Sequence, residues 1–146
     1  RWIDQGAIQA LPIFRVATRQ LSGLVEVIFK NHVADKTNWR KMLKGEVDNI
    51  DLIAERDRLM AECADEIAAL QQQHGLQAIQ FLDDAEAFNF DFPVDEYPTK
   101  VTSLNFDKQA EITGVLKGIK GQYLILDVGV LNIRKFGAYQ IDFSVN

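Results

Sequence analysis

At 146 residues, 47% hydrophobic and 25% charged, the chain has the size and texture of one ordinary globular domain or two small ones. A single cysteine, Cys63, excludes an intrachain disulfide framework, and with only two histidines beside it a tetrahedral Cys/His zinc site within the chain is excluded too. The net charge of −5 is unevenly spread: residues 1–45 carry eight Lys/Arg against three acids, residues 46–99 two against fourteen, and residues 100–146 six against four.

That distribution points to three units, divided here as 1–45, 46–98 and 99–146. A basic first unit suits a polyanion, and an acidic middle repels one. No apolar run is long enough to span a bilayer, so no membrane partner is expected. Cysteine usage fits a reducing, cytoplasmic location.

In chain order, residues 1–6 read as the last turn of a helix closed by Gly6. A strand is predicted over 11–18, with Pro12 tolerated near its start. Thr18 then caps a helix running to about Val33, with Leu21, Leu24, Val25, Ile28 and His32 on one face. Residues 35–44 form a short amphipathic helix ended by Gly45, pairing Trp39 with Leu43. A long acidic helix starts near Asp48 and stops at Gly75. Its apolar stripe is Ile53, Met60, Cys63, Ile67 and Leu70, and its outer face is Glu55, Glu62, Asp65 and Glu66. Residues 76–82 fit either a helix or a strand. Strict alternation predicts a strand over 88–92, and Pro93 and Pro98 bracket an extended connection. Strands predicted over 100–106, 112–116, 122–126, 130–134 and 139–143 suggest a small antiparallel β-barrel.

Glu26 is the only charge between Gln20 and Phe29. A carboxylate on so apolar a helix faces solvent, a partner or a metal, and the hard cation it suits is Mg²⁺. Arg1 is its natural companion, since a guanidinium grips phosphate through two parallel hydrogen bonds. In the last unit, Lys117, Lys120, Tyr123, Arg134, Lys135, Phe136 and Tyr139 interleave cations with aromatics, as surfaces that stack nucleic-acid bases over a cationic groove do. His32 and Cys63 lie on apolar helix faces and read as packing residues.

Several blocks carry a resemblance: Arg1-Trp2-Ile3-Asp4-Gln5-Gly6-Ala7, residues 11–18, Gly23-Leu24-Val25-Glu26-Val27, Asp35-Lys36-Thr37-Asn38-Trp39-Arg40 and residues 118–127. Together they resemble the C-terminal portion of an uncharacterised prokaryotic family known only as a domain of unknown function. The resemblance implies an upstream cysteine-rich, zinc-binding region lying outside this chain. The order helix with Arg1, strand 11–18, helix with Glu26 also resembles the latter half of the GIY-YIG nuclease core. That resemblance implies Arg1 as phosphate stabiliser and Glu26 as metal ligand, facing each other across an open sheet edge. Asn38 is the nearest match to the superfamily's late asparagine, in a different context. The two tyrosine motifs would precede Arg1, so the site would be partial and this stretch inactive alone.

The expectation is therefore an α+β protein: the latter half of a small α/β core, a long amphipathic acidic helix and a C-terminal barrel. Its function is expected to be nucleic-acid processing with Mg²⁺, or non-catalytic binding of nucleic acid, or binding of a protein partner through the acidic helix.

Overall fold

The structure is a computed structural model and describes residues 2–34 and 36–145. In chain order its elements are β1 (Gln9–Ala10), β2 (Phe14–Val16), α1 (Arg19–Lys30), α2 (Trp39–Leu43), α3 (Leu52–Glu62), α4 (Ala64–His74), β3 (Ile79–Phe81), β4 (Phe88–Asn89), β5 (Leu116–Lys120), β6 (Tyr123–Leu126) and β7 (Gly129–Asn132). Mixed helix and small antiparallel sheets make it α+β. The chain divides into two compact units, each made of separated stretches: unit 1 is Arg1–Ile8, Asn38–Val47 and Asp91–Asn146, and unit 2 is Gln9–Thr37 and Asp48–Phe90. Among the described residues no helix is long and apolar enough to cross a membrane.

Unit 2 is built on helix caps that the sequence announces. The Thr18 hydroxyl accepts from the Leu21 amide at 3.2 Å and starts α1. α3 starts later than the expected Asp48, at Asp51, whose carboxylate accepts from Ile53 and Ala54 at 3.0 and 3.1 Å. Gly75 ends α4. A 3-10 turn over Leu76–Ala78 then leads into β3, so the ambiguous segment is both a turn and a strand. β3 pairs antiparallel with β2, setting Phe14 opposite Phe81 and Val16 opposite Ile79. β1 pairs with β4. The core is Leu21, Val25, Cys63, Ile67 and Ile79, with Phe14, Val16, Ile28, Phe29, Leu70 and Ala78 packed on it.

Three sequence expectations change here. The single long helix is two helices meeting at Cys63, whose backbone (φ −104°, ψ 13°) leaves the helical region. Its hydrogen bonds continue, from the Cys63 amide to the Leu59 carbonyl and from the Ile67 amide to the Cys63 carbonyl, so the two helices join without a loop. The buried stripe of α3 is Arg56 and Leu59, while Ile53 is half exposed. Arg56 is buried because its guanidinium lies 5.4 Å from the Phe81 ring centre and donates to Asp57 and to the Asp83 carbonyl. Finally, the strand predicted over 88–92 keeps only two paired residues.

Unit 1 centres on the antiparallel meander β5–β6–β7. Single bridges flank it, Val94 with Gly118 on one edge and Ser103 with Val130 on the other. Among the described residues this sheet does not close into the expected barrel. The stretch 100–106 contributes one bridge, and residues 139–143 form no strand. The cause is local: after β7, Asn132 accepts from the Lys135 amide and opens a 3-10 turn over Ile133–Phe136. That turn drives Phe136 into the interior, 2% exposed, between Phe106 and Tyr139. The sheet packs Ile125 and Val130 against Met42 and Leu43 of α2. Residues 2–7 close as a helix end does, with Gly6 donating to Ile3, Ala7 donating to Trp2, and Gly6 at φ +81°.

The β5–β6 turn hinges on Gly121 (φ +57°), where an added Cβ would overlap the Asp4 carbonyl. Gly121→Ala should therefore destabilise unit 1 by about 2–4 kcal/mol, combining left-handed strain with displacement of residues 2–8. Urea unfolding followed by tryptophan fluorescence measures it; a loss under about 0.5 kcal/mol would show that the turn tolerates a side chain.

Candidate functional site

The register of the unit 1 sheet decides which sequence-predicted residues meet. Tyr123 opposes Asn132, and the Ile133 amide bonds the Gln122 carbonyl at 3.0 Å. The 3-10 turn carrying Arg134 and Lys135 therefore begins beside the first residue of β6. The Trp39 ring stacks on Tyr123, with centroids 6.1 Å apart and planes within 4°. The Arg40 guanidinium lies 4.4 Å from the Trp39 centroid. Tyr139 packs edge-on against Phe136. Tyr123, Arg134, Lys135 and Tyr139 are thus brought to one end of the sheet, joined by Trp39 and Arg40. Sequence reading had placed Trp39 only as a packing residue. The adjacency of Trp39 and Arg40 was the available signal, but nothing in sequence pairs them with Tyr123.

The other two residues of that set go elsewhere. Lys117 lies three residues back along β5, roughly 10 Å away, and pairs with Glu96 at 3.0 Å. That bond, with the charge of Glu96, raises its pKa. Lys120 is 1% exposed. Its Nζ donates to the Tyr97 hydroxyl at 3.3 Å, 4.9 Å from the Tyr97 centroid and 5.9 Å from that of Phe92. Its ammonium is enclosed by aromatic rings and offers nothing to a surface ligand.

The cations at the sheet end have acidic partners. Arg134 reaches Asp4 at 3.4 Å, and Lys135 reaches Asp107 at 3.4 Å while lying 5.0 Å from the Phe136 centroid. The Tyr139 hydroxyl donates to Asp107. This hydrogen bond holds the Asp107 carboxyl below its ordinary range, with Lys135 contributing, and pushes the Tyr139 phenol up. Unit 1 holds ten Lys/Arg against nine acids, so its cationic character is local.

In unit 2, Glu26 is exposed at the lip of a shallow cleft of about 210 Å³ between β2 and α1. Phe14, Val16, Val25 and Phe29 form its apolar walls, and Ser22 and Glu26 are its polar groups. Ser22 and Glu26 are one helical turn apart and share a face. Glu26 has no hydrogen-bond or ion-pair partner among the described residues. Among those residues no group of three His, Cys, Asp or Glu is arranged to hold a metal. Arg1, the other residue assigned to catalysis, and its expected approach to Glu26 lie outside the described residues, as does Asp35.

The acidic helix face is partly neutralised from within. Arg58 donates to Glu55 and Glu62 at 2.8 Å each and to the His32 carbonyl at 3.2 Å, and His32 Nδ1 lies 3.0 Å from Glu62. Arg58 first, and His32 second, hold the Glu62 carboxyl below its ordinary value. Cys63 is fully buried, and that burial, with the charges of Glu66 and Glu62, raises its thiol pKa, which disfavours a nucleophilic thiolate.

A family model described as a protein of unknown function (DUF2797) matches residues 1–141. No curated protein and no solved structure matches the chain.

The Asp107–Tyr139 bond makes a two-sided pH prediction. The lowered Asp107 pKa contributes stability above its unfolded value that is lost as pH falls through the folded one. The raised Tyr139 pKa contributes stability below its unfolded value that is lost as pH rises through the folded one. Tyr139→Phe should therefore flatten both limbs of the stability–pH curve and remove from an ultraviolet titration a phenol that ionises above the ordinary tyrosine value. Loss of a phenol that titrates at the ordinary tyrosine value would show that the bond does not persist in solution.

Proposed function

Since the chain belongs to the family of proteins of unknown function DUF2797, we propose from its own residues that it binds nucleic acid at the end of the unit 1 sheet. The observation that carries this reading is the gathering of Trp39, Arg40, Tyr123, Arg134, Lys135 and Tyr139 at that end. Aromatic rings give bases a stacking surface, and neighbouring guanidinium and ammonium groups give phosphates their partners. The ion pairs to Asp4 and Asp107 do not block this. Exposed pairs are worth about 0–1 kcal/mol, so a phosphate can replace the carboxylate. With nearly balanced charge over the unit, binding is local and sensitive to salt.

Fluorescence anisotropy with labelled single-stranded DNA and RNA, from low to moderate salt, tests the reading. Affinity should fall with salt, with a log–log slope of about −0.7 per phosphate contact. The pair Arg134→Glu and Lys135→Glu should weaken binding at least about tenfold, and Lys117→Glu should leave it nearly unchanged. No binding at low salt would end the proposal.

The hydrolytic form of this reading assigns Glu26 to Mg²⁺ and Arg1 to the phosphate, on a GIY-YIG-like order of β2 followed by α1. What favours it is that Glu26 is exposed and unpartnered among the described residues. If Mg²⁺-dependent cleavage of DNA or RNA is found and persists in Glu26→Gln, that role is gone. A partner bound through the acidic helix has less support, because Glu55 and Glu62 are already engaged by Arg58 and His32.

A further inference from the structure

We propose that the cleft between β2 and α1 is an anchor site for one basic side chain, lysine or arginine, of a partner polypeptide. This goes beyond the nucleic-acid reading and uses the other unit of the chain. Four observations converge on it. The first is an exposed carboxylate, Glu26, with no cation of its own among the described residues. The second is the wall: Phe14 and Phe29 line the cleft with ring centroids 6.0 Å apart, and Phe14 is held in place by an edge contact with Phe81 at 5.8 Å. Aromatic faces attract ammonium and guanidinium groups, and most strongly where water is thinned.

The third is size. About 210 Å³ is below the roughly 300–1,000 Å³ of clefts that enclose small-molecule ligands. It suits the stem and head of one long side chain, the stem on Val25 and the rings, the head at Glu26. The fourth is charge. Unit 2 carries twelve acids against six Lys/Arg, ten of those acids on residues 48–90, while β2 and α1 carry Arg15, Arg19 and Lys30 against Glu26. The net charge of the unit favours approach of a basic segment, and at the cleft itself the attraction is that of Glu26 alone.

The same donor set separates an organic cation from Mg²⁺. Magnesium needs near-octahedral oxygen ligation. The cleft offers one carboxylate and the Ser22 hydroxyl among apolar walls. An organic cation uses those walls, whereas a hydrated metal ion gains nothing from them.

The test is a titration of the ¹⁵N-labelled protein with three short peptides, each with one central residue flanked by leucines: arginine, lysine or glutamine. The arginine and lysine peptides should shift the amide resonances of Ser22, Glu26 and Phe29 saturably. The glutamine peptide should bind about tenfold more weakly, the scale of one close charge pair. Glu26→Gln should erase that preference without moving the resonances of Leu21 and Ile67, which report the core. Phe14→Leu should weaken binding of all three while keeping the wall apolar. Equal binding of the three peptides, or no saturable shift, overturns the proposal. So does a saturable response of the same resonances to Mg²⁺ alone with none to the peptides, which would return Glu26 to a metal.

Discussion

The tight turn at Gly121–Gln122 is the point on which unit 1 depends, because three separate stretches of chain are fastened to it. The Gln122 amide donates to the Asp4 carbonyl at 2.9 Å and secures residues 2–8. Tyr123 receives the Trp39 ring and secures α2. Lys120 reaches back to Tyr97 and Phe92 and secures the connection that follows residue 91. A turn of this kind needs φ > 0, and here the backbone of another segment fills the space where a side chain would stand, so glycine is required twice over. The candidate nucleic-acid surface inherits its geometry from this turn, since Tyr123 and the Arg134–Lys135 turn lie on either side of it.

What was legible in the sequence was local. Thr18, Gly45 and Gly75 mark helix ends through their own chemistry, and each marks one here. Gly6 closes its turn for the same reason. What was not legible depends on partners distant in sequence. Alternation over 88–92 and 139–143 describes residues able to form a strand, but a strand exists only where another offers its edge. The stripe expected from Ile53 and Met60 left out Arg56 and Leu59, which are the buried residues of α3. A flat guanidinium over Phe81 with its donors satisfied is a sound interior group, and helix α3 turns to bury it.

Lys120 shows the same limit at the site. In sequence it is one cation in a row of cations and aromatics, equivalent to Lys117 or Lys135. The pairing of β5 with β6 turns it inward, and Tyr97 and Phe92, more than twenty residues upstream, close over it. The strand expected over 112–116 stops short of Lys117 and Lys120, so neither the face Lys120 takes on β5 nor what covers it was readable. The charges left on the surface are likewise not a simple sum. Arg134, Lys135 and Lys117 each carry a carboxylate partner, so the stretch from 100 onward is less cationic in space than in composition. The surface proposed for nucleic acid is the place where such pairs crowd beside stacked rings.

Across both units the chain places cations on aromatic rings: Arg40 on Trp39, Arg56 on Phe81, Lys120 on Tyr97 and Phe92, Lys135 on Phe136. For Arg56, Lys120 and Lys135 the ring supplies attraction while a nearby oxygen accepts a hydrogen bond, which is cheaper than burying a bare ion pair. Phe14 and Phe29 present the same combination of ring and oxygen, with Glu26 and Ser22 beside them, but no cation among the described residues rests there. A carboxylate at an apolar lip keeps its water until something replaces it, and stripping that water without a countercharge costs several kcal/mol. The occupant that recovers this cost must bring its own positive charge and an apolar stem. That requirement sets the cleft apart from the end of unit 1 proposed to meet phosphate, since the two proposals call for partners of opposite charge.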